Sequence, residues 1–339
     1  MRLSFSKMAA AEAYNITHRY GKVTALDDVS FTVGDGELFG FIGPDGAGKT
    51  TLFRIAATLI IPSGGRMTIL GLNTVSRYRE LRNFIGYMPG RFSLYNDLTV
   101  EENLNFFATI FGTTLKENYN LIEPIYRQIE PYKKRLAGKL SGGMKQKLAL
   151  SCALIHRPKI LILDEPTTGV DAVSRTEFWE MLAGLKREGI SIIVSTPYMD
   201  EALRCDRIAL IQSGRILGID TPDNIRRSYS QKLYAVTHPD KYKLLLALRS
   251  LLLTPRPMPH AQGPLPSSFE ELPLRHPADR QLALSPEPFG DSVHIILPED
   301  TTPELVIAAL ELAGLHGATI AEIVAGIEDV FLELMKRKQ

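Results

Sequence analysis

The sequence predicts an α/β fold in two domains, on three observations. A short, wholly apolar run at residues 38–42 leads into a glycine-rich loop, and residues 49–59 beyond it have helical composition, giving the order strand, loop, helix. A second buried-strand run, Ile160-Leu161-Ile162-Leu163, ends in an acidic pair. Past about residue 230, short strand and helix patterns alternate. With 339 residues, 45% of them hydrophobic and 23% charged, the chain is long enough to bury a full core and hold two domains.

The loop reads Gly43-Pro44-Asp45-Gly46-Ala47-Gly48-Lys49-Thr50-Thr51. Its three glycines let backbone N–H groups turn inward around oxygen atoms, and the positive end of the following helix adds to the attraction for an anion. Lys49 is spaced to reach the outer phosphates of a nucleotide, and the Thr50 hydroxyl to sit on Mg²⁺. A nucleotide-binding protein is the leading expectation, against the plainer reading of a glycine-rich turn beside a lysine.

A mostly helical stretch follows at 98–135. Next, Leu140-Ser141-Gly142-Gly143-Met144-Lys145-Gln146 precedes a helical pattern carrying Leu148, Leu150 and Leu154. A serine and two glycines at a helix start make another anion site. The acidic pair is Asp164-Glu165, before Pro166-Thr167. At the end of a buried strand such a pair can hold Mg²⁺ through water and orient an attacking water. Cys152 and Cys205 fit no metal or redox spacing and are expected as buried free thiols.

Over its first two-thirds the chain resembles the ATPase subunits of ABC transporters, because separate motifs occur in that family's order. The resemblance implies a P-loop NTPase fold of the ABC ATPase type, a mixed-sheet core with a helical subdomain at about 91–150, and ATP with Mg²⁺ as ligands. It makes residues 43–51 the Walker A loop, 140–146 the signature, Asp164 the Walker B aspartate that binds metal with Thr50, and Glu165 the catalytic base beside Lys49. Asp171, in Thr168-Gly169-Val170-Asp171, matches the D-loop. Tyr20 matches the aromatic residue that stacks on adenine, with Tyr14 as a substitute and a tyrosine packed at a strand edge as the plainer alternative. Residues 91–98 match the segment that grips a cytoplasmic helix of the membrane partner, although Phe92 and Leu94 could equally pack the subdomain.

Two positions depart from the pattern. Gly90 stands where the family has a glutamine that helps coordinate Mg²⁺ and the attacking water, and Pro197 where it has a histidine that contacts the terminal phosphate. Glycine has no side chain to do so, and proline lacks both a donor side chain and a backbone N–H. Neither His156 nor His294 is placed as a replacement; both are expected to be structural. Tight ATP binding with slow hydrolysis follows. Because the family works as a head-to-tail pair in which one signature closes the other's Walker site, the intact Ser141, Gly142 and Gly143 favour a heterodimer with a fully equipped second ATPase. A homodimer relying on Glu165, and a non-catalytic ATP-binding regulatory or dimerisation subunit, stay open.

Net charge is +1, from 39 basic and 38 acidic residues, so no basic field argues for nucleic acid. The start lacks an apolar signal core and no window approaches twenty apolar residues. The expectation is a peripheral subunit on the cytoplasmic face of the membrane, with the membrane passage supplied by a separate permease.

Domains are expected at 1–230 and 231–339. In the second, nine of the chain's 21 prolines fall between Pro255 and Pro288, marking a loop excursion at 254–290. Around it lie strands at 232–237, 292–297 and 319–324 and helices at 241–253 and after Thr302-Pro303, which suggests a ferredoxin-like unit. Ile327, Val330, Phe331, Leu334 and Met335 form one apolar face of a terminal helix. That tail, residues 140–147, and Ser195-Thr196-Pro197-Tyr198-Met199-Asp200-Glu201-Ala202 are similar to drug-exporter ATPase subunits of the daunorubicin-resistance type, which implies an exporter.

Overall fold

The structure, a computed structural model, describes residues 9–251, 286–297 and 301–337. It divides into two compact units, 1–228 with 327–339, and 229–326.

In chain order the first unit contains β1 (Ala11–Tyr20), β2 (Val23–Val33), β3 (Leu38–Ile42), α1 (Lys49–Ala56), β4 (Gly64–Ile69), β5 (Leu72–Asn73), α2 (Tyr78–Leu81) and β6 (Ile85–Met88). It continues with α3 (Val100–Ile110), α4 (Leu115–Tyr126), α5 (Gly142–Leu154), β7 (Ile160–Asp164), α6 (Ala172–Arg187), β8 (Ser191–Thr196), β9 (Arg207–Gln212), β10 (Arg215–Asp220) and α7 (Pro222–Arg227). The second unit holds β11 (Leu233–Thr237), α8 (Lys241–Leu251), β12 (Glu287–Phe289), β13 (Ser292–Ile296), α9 (Pro303–Leu312) and β14 (Thr319–Ile323), after which α10 (Ile327–Arg337) returns to the first.

Two sheets build the first unit: an antiparallel one in the order β2-β1-β4-β5, and a six-stranded one in the order β10-β9-β3-β8-β7-β6, parallel except for β10. Every residue of β3, β7 and β8 is buried, as expected of parallel strands covered on both faces. The sheets share an aromatic core. Phe31 of β2 meets Phe41 of β3 edge-on at 4.9 Å, and Phe41 meets Phe53 of α1 at 5.7 Å. Edge-to-face pairs of this kind add about 0.5–1.5 kcal/mol beyond burial. The parallel register then aligns the carboxyl ends of β3, β7 and β8, pairing Ile42 with Thr196 and Asp164 with Ser195. Ligands of open α/β sheets bind outside such ends.

The helical stretch is α3 to α5. Two capping boxes start it: Thr99 with Glu102 on α3, and Thr114 with Glu117 on α4. Among the described residues, no helix is long and apolar enough to cross a membrane. Cys152 and Cys205 are buried free thiols, and burial raises the pKa of both.

The second unit is a βαββαβ arrangement whose antiparallel sheet runs β12-β13-β11-β14, the strand order of a ferredoxin-like unit. Val236, Val293 and Ile295 of the sheet pack with Leu244 and Leu248 of α8 and Val306 and Leu310 of α9. The expected excursion at 254–290 is corrected at its end: Glu287–Phe289 is a strand, with Pro288 opposite Val293. Proline is tolerated there because β12 is an edge strand and needs no second ladder of donors. The stretch 252–285 lies outside the described residues. The boundary at 230 also needs amending, since α10 packs against α7 and the 3₁₀ turn at Met199–Arg204, burying Ile327, Val330 and Phe331 within the first unit. An amphipathic helix goes where its apolar face finds cover, and its place in the chain does not reveal where that is.

Candidate functional site

The loop at 43–48 leaves β3 where the strand ends cluster and enters α1. Gly48 is the N-cap of α1, with φ 102, and a Cβ there would stand 2.5 Å from the Ala25 carbonyl. Only glycine fits that left-handed, crowded position. No side chain caps α1 and no acidic residue stands in its first turn, so its positive end is uncompensated. Gly46, at the loop tip, has no atom within 4 Å of the place a Cβ would take. An anion fits this cradle.

Lys49, 3% exposed, points back under the loop. Its Nζ donates to the Gly43 carbonyl at 2.7 Å and the Pro44 carbonyl at 2.9 Å, and pairs with Glu165 Oε1 at 3.1 Å. Thr50 and Thr51 follow in the first turn of α1. Thus the loop lysine and the second residue of the acidic pair, far apart in sequence, meet.

Asp164 closes β7 and is 1% exposed. Its Oδ1 accepts from Ser195 Oγ at 2.7 Å. Glu165 adopts a left-handed conformation, φ 48, and its amide donates to Ser195 Oγ at 2.9 Å and the Ser195 carbonyl at 3.1 Å. A non-glycine residue in that region is uncommon and clusters at functional sites. The Tyr87 hydroxyl pKa is pushed up to about 12, mainly by burial and then by the Asp164 charge.

Gly90 lies just beyond β6, exposed, and a Cβ on it would come 3.1 Å from the Asp164 carbonyl and 3.6 Å from Asp164 Oδ2. Pro197 follows β8 directly. Beside it, Thr196 Oγ1 donates to Glu201 Oε2 at 2.5 Å and Thr167 Oγ1 to the same oxygen at 3.0 Å. Glu201 Oε1 is buried without a partner among the described residues. Sequence reasoning assigned no role to Ser195 or Glu201, although both lie in the 195–202 segment that carries part of the resemblance. Neither sits in a recognisable spacing; only the pairing of β7 with β8 brings Ser195 to the acidic pair.

A second cluster surrounds the serine-glycine element. Ser141 is the N-cap of α5, its Oγ accepting from the Met144 amide at 3.4 Å. Gly143 lies so close to α6 that a Cβ would stand 2.7 Å from Ser174 Oγ, and Gly142 faces the Gly169 carbonyl. Asp171 caps α6 by accepting from the Ser174 amide at 2.9 Å, a bond that holds its carboxyl below the usual carboxylate range. Ser141, Gly142 and Asp171 are all exposed.

Tyr20 ends β1 with 47% of its surface exposed and meets His18 edge-on at 4.6 Å. Tyr14 is less suited to a base, because the Arg66 guanidinium already lies over its ring at 4.7 Å. Leu94 is buried, so it packs inward, while Tyr95 is half exposed and lies edge-on to Phe106 at 4.8 Å. His156 stacks on Phe111 at 3.8 Å and bonds the Ile85 carbonyl, and His294 stacks on Phe289 at 4.1 Å.

Phosphate cradle, buried lysine and acidic strand end together define a nucleotide-binding α/β protein. The ABC transporter family pattern matches residues 26–168. The chain is 36% identical over 315 residues to the probable multidrug ABC transporter ATP-binding protein YbhF of Escherichia coli (strain K12), covering 92% of this chain and 49% of that protein. It is 38% identical over 218 residues to the Nod factor export ATP-binding protein I of Burkholderia lata, covering 63% of this chain and 72% of that protein. A solved structure of an ATP binding subunit of an ABC transporter superposes with a TM-score of 0.59 at 30% identity, over 65% of this chain and 93% of that one. The chain belongs to the ATP-binding proteins of the ABC transporter family. It spans about half the length of the curated relative from Escherichia coli.

Proposed function

We propose that this chain binds ATP with Mg²⁺ and powers a membrane exporter as the weakly hydrolysing half of an asymmetric ATPase pair, on the cytoplasmic face of a separate permease. One observation carries the reading: the parts that grip a triphosphate are complete around Lys49, while the two positions beside the acidic pair, Gly90 and Pro197, carry no hydrogen-bonding side chain. Names of the relatives, which include multidrug and Nod factor export, support the direction of transport.

In this reading the amides at the start of α1 bind the phosphates, and Lys49 turns from the Gly43 and Pro44 carbonyls to the outer phosphate. That move frees Glu165, whose carboxylate then accepts a proton from the attacking water. Thr50 and Asp164 would hold Mg²⁺, which neutralises charge on the phosphate oxygens. Tyr20 stacks on adenine, a contact worth about 1–3 kcal/mol. Each absent donor costs about 10²–10³ in rate while leaving affinity to the cradle. Ser141 and Gly142, exposed at the start of α5, and Gly143, packed against α6, close the site of the neighbouring ATPase.

The test is phosphate release by the purified chain, alongside nucleotide binding. Tight Mg-ATP binding with release at least about 10²-fold below that of a fully equipped family member is expected. Brisk release by the chain alone overturns the asymmetric pair, and failure to bind Mg-ATP overturns the whole reading.

A further inference from the structure

We infer that Ser195 is a positioning residue for the acidic pair, setting which Asp164 oxygen is offered to a divalent cation and fixing the backbone that aims Glu165. The inference rests on the nucleotide-binding role proposed above and adds to it a residue to which sequence reasoning alone assigned no role.

The Ser195 hydroxyl has a single proton to give. Ser195 Oγ accepts the Glu165 amide at 2.9 Å, so its own single O–H must donate elsewhere, and Asp164 Oδ1 at 2.7 Å takes it. Ser195 is wholly buried, so its hydroxyl is directed to partners within the protein. Asp164 Oδ1 thereby has one of its lone pairs engaged. The other oxygen, Oδ2, lies toward Gly90, within 3.6 Å of the place a Cβ would take there. The side that the hydroxyl leaves unoccupied is the side next to the position where a metal-coordinating glutamine is missing. With no glutamine to share the cation, Asp164 and Thr50 are the side chains left to define its place, and the orientation of Asp164 matters more.

The same oxygen governs Glu165. Its left-handed conformation, φ 48, is one that a non-glycine residue adopts only when surroundings fix it. The Glu165 amide is gripped by both the Ser195 hydroxyl and the Ser195 carbonyl at 3.1 Å. Register supplies the geometry: Asp164 sits opposite Ser195 across the parallel β7 and β8, and Phe41 flanks Ser195 from β3. One hydroxyl on a central strand therefore couples two carboxylates that have different tasks.

Outer partners of metal ligands typically alter metal affinity about 10–100-fold when removed. The test titrates Mg²⁺ into the full chain with a fluorescent ATP analogue and reads two quantities: analogue affinity in EDTA, and the Mg²⁺ concentration at half-maximal enhancement. Ser195→Ala is expected to raise the Mg²⁺ midpoint about tenfold or more with affinity in EDTA unchanged, a split that general loosening of the fold does not produce. Ser195→Thr, which keeps the hydroxyl, is expected to retain the wild-type midpoint. Ser195→Cys, a weak donor, is expected to shift like alanine, and the threonine and cysteine pair decides the matter if the alanine variant does not fold. Equal midpoints in wild type and the alanine or cysteine variant overturn the inference, as does an equal shift in the threonine variant. Lys49→Ala serves as the control for the underlying role. If it binds the analogue as well as wild type does, the nucleotide site itself is misassigned, a failure distinct from that of Ser195.

Discussion

If Gly90 and Pro197 limit hydrolysis as proposed, the side chains the family carries there can be put back. Room differs between the two. A Cβ at 90 would come 3.1 Å from the Asp164 carbonyl, backbone that belongs to a central strand, so a glutamine fits only if β6 and β7 part by a few tenths of an ångström. Pro197 is half-buried at the free end of β8, beside an amide of Tyr198 that is already satisfied by Thr196 Oγ1 at 3.0 Å. Pro197→His should therefore raise phosphate release more than Gly90→Gln, and the double variant should exceed wild type by at least about 10²-fold, the worth of a single restored group, with ATP affinity little changed. Single-turnover assays on the three variants measure this. A double variant no faster than wild type sinks the idea that these two positions limit hydrolysis.

Among the elements, the connection from α5 to β7 carries a pH-dependent contact. His156 Nε2 donates to the Ile85 carbonyl at 3.1 Å, its ring is covered by Phe111 at 3.8 Å, and Nδ1 is buried without a partner among the described residues. Burial lowers the His156 pKa, outweighing the opposite effect of the Ile85 bond. Above pH 6.5, the ordinary value, folded and unfolded chains both hold it neutral and no penalty arises. As pH falls below 6.5 the unfolded chain takes a proton that the folded one resists. Stability is lost until the folded pKa is passed, at no more than about 1.4 kcal/mol per pH unit for one proton. Melting temperatures between pH 7.5 and 5 should show this fall in wild type and a shallower one in His156→Gln; coincident curves would remove His156 as the cause.

Elements were legible in the sequence to different depths for physical reasons. The strand at Leu38–Ile42 and the loop after it were readable because their chemistry is local: apolar run, glycines and lysine are neighbours in the chain. The same holds for the strand ends and N-caps of the ferredoxin-like unit, where period-two and period-3.6 patterns change over within a few residues. Ser195 and Glu201 were not readable, because their significance lies in cross-strand register and in a turn that folds back on β8. Pro288 misled for a related reason, since its tolerance depends on β12 being an edge.

For the whole molecule, the relevant fact is that its candidate functional residues form two clusters, one around Lys49 and Glu165 and one around Ser141 and Asp171. If each cluster serves a different composite site, damage to them has unequal consequences. Ser141 and its neighbour Gly142 are exposed, so Ser141→Arg is accommodated at the surface, losing an N-cap worth about 1 kcal/mol while blocking a triphosphate in the neighbour's site. In the asymmetric pair proposed above, Lys49→Ala strips only this chain's own site, whose contribution would be to help hold the pair together through bound ATP. In the complex that copurifies with this chain, Ser141→Arg should cut ATP turnover about 10²-fold or more, as loss of preorganised transition-state contacts does. Lys49→Ala should keep most of the maximal rate and require more ATP to reach it. A homodimer makes the two sites equivalent, and either substitution then abolishes turnover. Equal losses from the two variants, each checked for unchanged melting and complex assembly, would mean that the signature and the Walker cluster act on the same kind of site and that the pair is not asymmetric.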